Sequence, residues 1–128
     1  MSPVAESIDH STALFRALAD PTRLRVLNLL RDGERCVCEL VDVIGGPQPK
    51  ISRHLAHLRE AGLVVSRRRG QWIYYRLADP ATELHRRLIA CVGECFGDVA
   101  QLKADRQRLS KACRTVENDR CGSGKECC

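Results

Sequence analysis

Two cysteines one residue apart, Cys36 and Cys38, are the side chains of this sequence best suited to bind a soft ion. Thiolates select Cd(II), Pb(II) or Cu(I), and trivalent arsenic and antimony are thiophilic in the same sense. Residues two apart in a regular helix point about 200° away from each other. Both thiols can therefore hold one ion only if Cys36 lies just before a helix and Cys38 lies in its first turn. The positive end of the helix dipole would favour the thiolate form there.

The number of nearby thiols indicates which ion fits. A trivalent metalloid needs fewer donors than tetrahedral Zn(II), which normally takes four. Cys36, Cys38 and one borrowed thiol suit the metalloid, so the sequence favours As(III) or Sb(III) as the effector, with no organic cofactor. The alternative is that both cysteines are buried apolar residues, a common role of cysteine.

The chain contains eight cysteines, and the expected compartment decides what they mean. No apolar stretch approaches the roughly 20 residues that span a bilayer, and residues 1–10 lack the apolar core of a signal peptide. We therefore expect a cytoplasmic protein with no membrane partner. In a reducing cytosol, so many cysteines indicate metal binding or redox chemistry rather than a disulfide scaffold.

Other cysteines are secondary candidates for metal binding. Cys91 and Cys95 are four residues apart and share one face of a predicted helix. They are either small apolar residues in a packed interface or a second thiol site. Cys113 and the cysteines of the C-terminal stretch could supply the missing third thiol, or could belong to a tail without a function. The candidate ligands are thus Cys36 and Cys38, followed by Cys91, Cys95 and Cys113.

The elements that must position these thiols are mostly helical. Asp20 and Pro21 form a helix-start signal, with Asp20 as the N-cap and Pro21 at the first helical position. Apolar spacing and glycine stops predict helices over 8–18, 21–31, 38–44 and 48–61. Strands are predicted over 64–67 and 72–77, with 68–71 as the tip between them. One long helix is predicted over 80–112.

The fourth predicted helix has the division of faces that a DNA-reading helix needs. Ile51, Leu55 and Leu58 fall on one face, and small or basic residues fall on the other. Residues 47–76 carry seven Lys or Arg and one acid, Glu60. A helix followed by a basic hairpin indicates a helix-turn-helix with a wing. The candidate contacts with double-stranded operator DNA are Gln48, Lys50, Ser52, Arg53 and His57 on the helix, and Arg67, Arg68, Arg69 and Gln71 on the wing.

The long terminal helix predicts the assembly. Apolar residues and cysteines recur along it from Leu84 to Leu102 in a single stripe that a small domain cannot easily cover. A second copy of the helix could cover the stripe, which predicts a homodimer through the terminal helices. The predicted fold is mainly α with a small β-hairpin, a winged helix-turn-helix. The domain prediction is one DNA-binding and dimerisation domain over 8–112, followed by a flexible Cys-rich tail over 113–128.

Two motifs carry a family resemblance. The segment from Ala17 to Leu24 and the run from Gln48 to Val64 together resemble the ArsR/SmtB family of dimeric winged-helix repressors. The cysteine pair resembles the subgroup that senses arsenite and antimonite at the third helix. This resemblance implies a repressor whose apo-dimer binds its operator and whose ligand-bound dimer releases it.

The sequence departs from the family pattern in places. A third cysteine that arsenic sensors often carry is replaced here by Val41. The zinc motif at the start of the last helix is absent, because Asp79 is followed by Pro80 and Ala81. Pro47 occupies the place of the serine that often caps the reading helix.

Other functions remain open at this stage. A thiol redox sensor or a Cd/Pb-sensing repressor could use the same fold and cysteines, and a thiol-rich metal buffer would not need DNA. An enzyme is disfavoured, because no Cys-x-x-Cys follows a strand and no phosphate-cradling loop or βαβ pattern is present.

Overall fold

The computed structural model describes the backbone of residues 7–116 and the side chains of residues 7–110. The helices are α1 Ile8–Leu18, α2 Pro21–Leu29, α3 Val37–Ile44, α4 Gln48–Glu60, α5 Glu83–Glu94 and α6 Ala100–Val116. The strands are β1 Arg35–Cys36, β2 Val64–Arg69 and β3 Trp72–Leu77. The first four helices and the hairpin confirm the predicted elements, with small changes at their ends. The strand β1 was not predicted.

Side-chain caps explain where several helices begin. Ser7 Oγ accepts from the His10 N–H at 3.0 Å at the start of α1, and Asp20 Oδ2 accepts from the Arg23 N–H at 3.0 Å at the start of α2. Such caps satisfy amides that the helix itself leaves without partners. The reading helix α4 lacks a side-chain cap, since Pro47 holds that position.

The core lies where α2, α3 and α4 meet. Ile51, Leu55 and Leu58 of α4 are fully buried there, as the apolar spacing predicts. Leu27 of α2 and Leu40 of α3 belong to the same apolar cluster. The helix-turn-helix formed by α3 and α4 is therefore fixed to α2 by side-chain burial, which holds the outer face of α4 in a defined orientation.

The sheet joins the cysteine region to the hairpin. Its strand order is β1-β3-β2, and both pairs are antiparallel. Cys36 lies opposite Tyr74, and Tyr74 lies opposite Arg67 on the other side. We call residues 64–77, which comprise β2, β3 and their turn, the wing. The two-residue strand β1 therefore attaches the start of α3 to the central strand of the wing, β3.

The prediction of one long helix over 80–112 is wrong. The chain turns at residues 95–99, and α6 then packs back against α2 and α3. Asp105 is fully buried and forms an ion pair with Arg25 of α2, with Nε–Oδ2 and Nη2–Oδ1 distances of 2.8 and 3.0 Å. Leu102 and Leu109 are buried by the chain's own helices. The apolar stripe is thus divided, and its last part covers the chain's own core.

The region beyond the predicted boundary at residue 112 is described only in part. Backbone of α6 continues to Val116 and includes Cys113. The side chain of Cys113 and the cysteines at 121, 127 and 128 lie outside the described residues, as does the predicted flexible tail. Among the residues that are described, no helix is long and apolar enough to cross a membrane.

Candidate functional site

The structure places Cys36 at the N-cap of α3 and Cys38 in its first turn. This is the arrangement that two thiols one residue apart need in order to face a common ion. Cys36 and Glu39 form a capping box, in which the Cys36 N–H donates to Glu39 Oε1 at 2.9 Å. Both cysteine side chains are buried, at 0% and 3% exposure. An ion must therefore reach them through a local opening at the start of α3.

The sulfur atoms of Cys36 and Cys38 could supply two of the ligands of a soft ion. Both cysteines carry thiols rather than disulfides. Among the side chains of residues 7–110, no group of three or more His, Cys, Asp or Glu is placed to hold a metal ion. The pair fits a trivalent metalloid only if a further thiol joins it from outside these residues.

The second thiol pair, Cys91 and Cys95, lies in different surroundings. Cys91 is half-buried near the end of α5, and Cys95 is exposed at its C-cap. A hydrogen bond with Cys91 raises the pKa of the Cys95 thiol, so the thiol form is favoured over the thiolate there. The two residues are brought together as their spacing predicts, but on a surface away from the sheet.

The predicted DNA-facing residues of α4 lie opposite its buried face. Gln48, Lys50 and Arg53 are exposed, while Ser52 and His57 are half-buried. The basic side chains have no acid within α4 until Glu60 at its end. The outer face therefore offers hydrogen-bond donors and positive charge, which suit base edges and phosphates.

His54 connects α4 to the start of α2. Its Nδ1 lies 3.4 Å from Arg23 Nη1 and 3.7 Å from Asp20 Oδ2. Burial lowers the pKa of His54, although the carboxylate of Asp20 opposes this effect. Arg23 also donates from Nε to the Ala17 carbonyl at 2.7 Å. These polar contacts indicate a structural role for His54.

The wing carries its basic residues toward an exposed tip. Arg68, Arg69 and Gln71 are exposed, and Gly70 adopts a φ of +64° in the turn between the strands. Arg67 differs from them, because it is already engaged by a carboxylate. Its Nε and Nη2 donate to Glu34 Oε2 and Oε1 at 2.6 and 2.7 Å. This hydrogen bond raises the pKa of Arg67 and lowers the pKa of Glu34.

Sequence reasoning missed two acids that matter for the architecture. Glu34 holds Arg67 of the wing, and Asp105 docks α6. The sequence carries a partial signal for such a partner. The wing contains four arginines and no acid, so any carboxylate that pairs with these arginines lies outside the wing. Nothing local marked Asp105, whose partner Arg25 is far away in the sequence.

Comparison with known proteins identifies the family. Residues 20–66 match the family described as bacterial regulatory protein, arsR family. The HTH-type transcriptional regulator MJ1325 of Methanocaldococcus jannaschii, itself uncharacterized, is 43% identical over 75 residues, or 58% of this chain and 84% of that protein. The chain belongs to the ArsR family. Its relatives are transcriptional regulators rather than enzymes, as the sequence predicts.

Two further relatives bear on function and fold. The arsenic resistance transcriptional regulator ArsR1 of Pseudomonas putida is 60% identical over 65 residues, which are 50% of this chain and 51% of that protein. The chain spans about half the length of the curated arsenic-resistance relatives it matches. A homodimeric winged helix-turn-helix domain of Mycobacterium bovis superposes with a TM-score of 0.57 at 34% identity, covering 72% of this chain and 86% of that chain. The predicted winged helix-turn-helix fold is confirmed.

Proposed function

We propose that this ArsR-family protein is a repressor that binds operator DNA as a homodimer and releases it when Cys36 and Cys38 capture As(III) or Sb(III). The observation that carries the proposal is the position of the thiol pair. Cys36 ends a strand of the wing sheet and caps the first helix of the helix-turn-helix. An ion held there acts on both parts that would meet DNA. The family relative that regulates arsenic resistance supports this choice of ion.

Capture of arsenite is a thiol exchange. Each cysteine thiol replaces an As–OH group, forming an As–S bond, and its proton leaves with the hydroxide as water. No oxidant or reductant is needed. In this proposal, closing both thiols on one ion shifts the backbone at Cys36, which disturbs the bond of its N–H with Glu39 and its pairing with β3.

We propose Cys113 as the third donor. It lies in α6, four residues after Leu109, which is buried in the core. Arg108 donates to the Asp42 carbonyl of α3 at 3.3 Å, and Arg35 lines the same cleft as Leu109. The C-terminal half of α6 therefore runs beside α3 and close to β1. Cys113→Ser should weaken arsenite binding while Cys95→Ser should not.

The homodimer is proposed through α1 and α5. Phe15 on α1 is 54% exposed. It belongs to an apolar groove, whose lining residues are Phe15, Leu18, Leu24, Leu88, Cys91, Val92 and Phe96. A second copy would bury this surface, and the homodimeric relative supports that assembly. Sedimentation of Phe15→Glu should show a shift toward monomer.

The DNA face is tested by charge reversal. Arg53→Glu should abolish operator binding, because it places a carboxylate where a phosphate or base edge is expected. Lys103→Glu makes a similar change on the exposed side of α6 and should leave the affinity nearly unchanged. Intact operator binding by Arg53→Glu would contradict the assignment of this face.

The effector is tested by operator release. Fluorescence anisotropy of the reduced protein on its promoter DNA is titrated with arsenite, antimonite, Cd(II), Pb(II) and Zn(II). Arsenite and antimonite should weaken binding about a hundredfold, equivalent to about 2.7 kcal/mol of coupling. Release by Cd(II) or Pb(II) alone would make this a divalent-metal sensor. Release by peroxide that reductant reverses, without a response to arsenite, would make it a redox sensor.

A further inference from the structure

We infer that Glu34 is a positioning residue for the wing. It holds Arg67 midway along the hairpin and so connects the strand that ends in Cys36 to the surface proposed to meet DNA. This inference rests on the proposed DNA-binding function and assigns its regulation to the wing. Nothing in the sequence motif around the cysteines requires this role.

The contact has bidentate geometry, although the Arg67 side chain is 52% exposed and the Glu34 side chain 25% exposed. The Glu34 carboxylate accepts from Arg67 Nε at 2.6 Å and from Arg67 Nη2 at 2.7 Å. Two parallel charge-assisted hydrogen bonds fix orientation as well as distance. The same guanidinium lies 5.3 Å from the centre of the Tyr74 ring, within the range of a cation–π contact. Arg67 is therefore restrained by two neighbouring groups.

The contact also closes a path across the sheet. Cys36, Tyr74 and Arg67 occupy one row on β1, β3 and β2. Glu34, just before β1, reaches over the central strand to Arg67 on the far strand. The strand β2 is thus connected to the β1 segment in two ways, through the ladder across β3 and through the ion pair of Glu34 with Arg67. A displacement of β1 must disturb both connections.

The charge distribution gives Glu34 its particular weight. The wing contains four arginines and no acid. Arg67 first, and then Arg76 and Arg69, keep the pKa of Glu34 below its ordinary value, so the carboxylate is ionised at neutral pH. Because Glu34 occupies the guanidinium of Arg67, the residues left to contact phosphates are those nearer the tip, Arg68 and Arg69.

A mechanism for release follows from this arrangement. In the protein without effector, the braced wing presents its tip in one orientation. When the backbone at Cys36 shifts to bring its thiol to an ion shared with Cys38, β1 loses its register with β3 and Glu34 moves with it. The wing then loses its brace, and recognition of the operator weakens without any bending of α4.

The experiment compares Glu34→Gln with Glu60→Gln, both without effector. Each variant removes one negative charge, but only the first breaks the contact with Arg67. The ratio of operator affinity to affinity for unrelated DNA is measured, because a general gain in positive charge strengthens both and cancels. Glu34→Gln should lower this ratio about tenfold, within the range of allosteric couplings, and Glu60→Gln should leave it unchanged. Equal ratios in the two variants would overturn the inference.

Two further readouts exclude a general structural effect. Trp72 in β3 is the single tryptophan of the chain, so its fluorescence anisotropy reports the mobility of the wing. That anisotropy should fall in Glu34→Gln and stay unchanged in Glu60→Gln. Thermal unfolding is the second readout and should be nearly the same for the two variants, because the ion pair of Glu34 is exposed. A rigid Trp72 in Glu34→Gln, or a loss of operator preference that only accompanies a general loss of stability, would also overturn the inference.

The proposed metalloid function is judged separately. All the measurements above are made without arsenite, so they decide the role of Glu34 whatever the effector is. A natural protein that keeps its operator when arsenite is added would contradict the metalloid function and leave the result on the wing in place.

Discussion

The two thiol pairs differ in spacing, two residues against four, and in their surroundings in the fold. Cys36 and Cys38 are buried where a strand of the wing sheet meets the helix-turn-helix. Cys91 and Cys95 lie at the end of α5, and Cys95 is exposed. The first pair is joined to the proposed DNA-binding elements by a β-ladder and a capping box. A buried thiol pair that is connected to the proposed DNA-binding elements can act as a switch. A thiol pair without that connection is only a reactive surface.

Alkylation should separate the two pairs most widely. In native protein, Cys95 should react with iodoacetamide at close to the rate of an exposed thiol of raised pKa. Cys36 and Cys38 should react at least about a thousandfold more slowly than Cys95, because their exposure requires local opening of the core. Peptide mass spectrometry over time measures both rates. Comparable rates for the two pairs would remove the contrast.

Removal of the ion pair between α6 and α2 tests whether that contact holds α6 against the core. Asp105→Ala should lower the free energy of unfolding by about 3 kcal/mol, because Arg25 is left without its buried carboxylate partner. Glu83→Ala is the control, since it removes an exposed ion pair with Arg86 and Arg87 on α5. Exposed pairs contribute little to stability. Urea unfolding of both variants decides the point, and equal stabilities would contradict the docking of α6.

Replacement of single thiols should affect stability unequally. Cys38→Ser should destabilise the protein by about 1–2 kcal/mol, because it places a hydroxyl in a buried position. Cys95→Ser changes an exposed side chain and should have little effect. Thermal unfolding under reducing conditions measures the difference. An effect of Cys95→Ser as large as that of Cys38→Ser would indicate that the second pair is packed in an interface.

Mild acid should destabilise α5, which carries Cys91, more than α3, which carries Cys38. Burial lowers the pKa of His85 at the start of α5, and His10 of α1 acts in the same direction. The unfolded chain then binds more protons, so stability is fully present above the ordinary pKa of about 6.5 and falls as pH drops below it. The protection factors of α5 amides, which are the intrinsic exchange rates at each pH divided by the measured rates, should fall between pH 8 and 5.5, and His85→Gln should reduce this fall. Protection factors in α3 that fall equally would contradict the assignment.

Local signals in the sequence predicted most of the fold. Asp20 with Pro21, the glycines after α3 and α4, and the spacing of Ile51, Leu55 and Leu58 all act over a few residues. The positions of Cys36 before a helix and Cys38 within it followed from the same reasoning. These features depend on neighbouring residues alone, so they can be read without knowledge of the tertiary structure.

Features that depend on distant partners could not be predicted. A strand of two residues has no alternation to recognise, so β1 became visible only through its pairing with β3. The apolar stripe at Leu84 to Leu102 continues through the turn at 95–99, and the stripe alone does not show that α6 folds back. The reversal is stabilised by Arg25 and Asp105, which lie far apart in the sequence. Glu34 and Arg67 were separated in the same way.

The role of Cys36 and Cys38 as the switch is tested most directly by removing each thiol pair in turn and comparing the two variants. Operator binding of the reduced protein is followed by fluorescence anisotropy during arsenite titration, for Cys36→Ser/Cys38→Ser and for Cys91→Ser/Cys95→Ser. The account predicts that the first variant binds the operator and no longer releases it, while the second releases it as the natural protein does. Release that persists without Cys36 and Cys38 and disappears without Cys91 and Cys95 would place the switch on α5 and contradict the account.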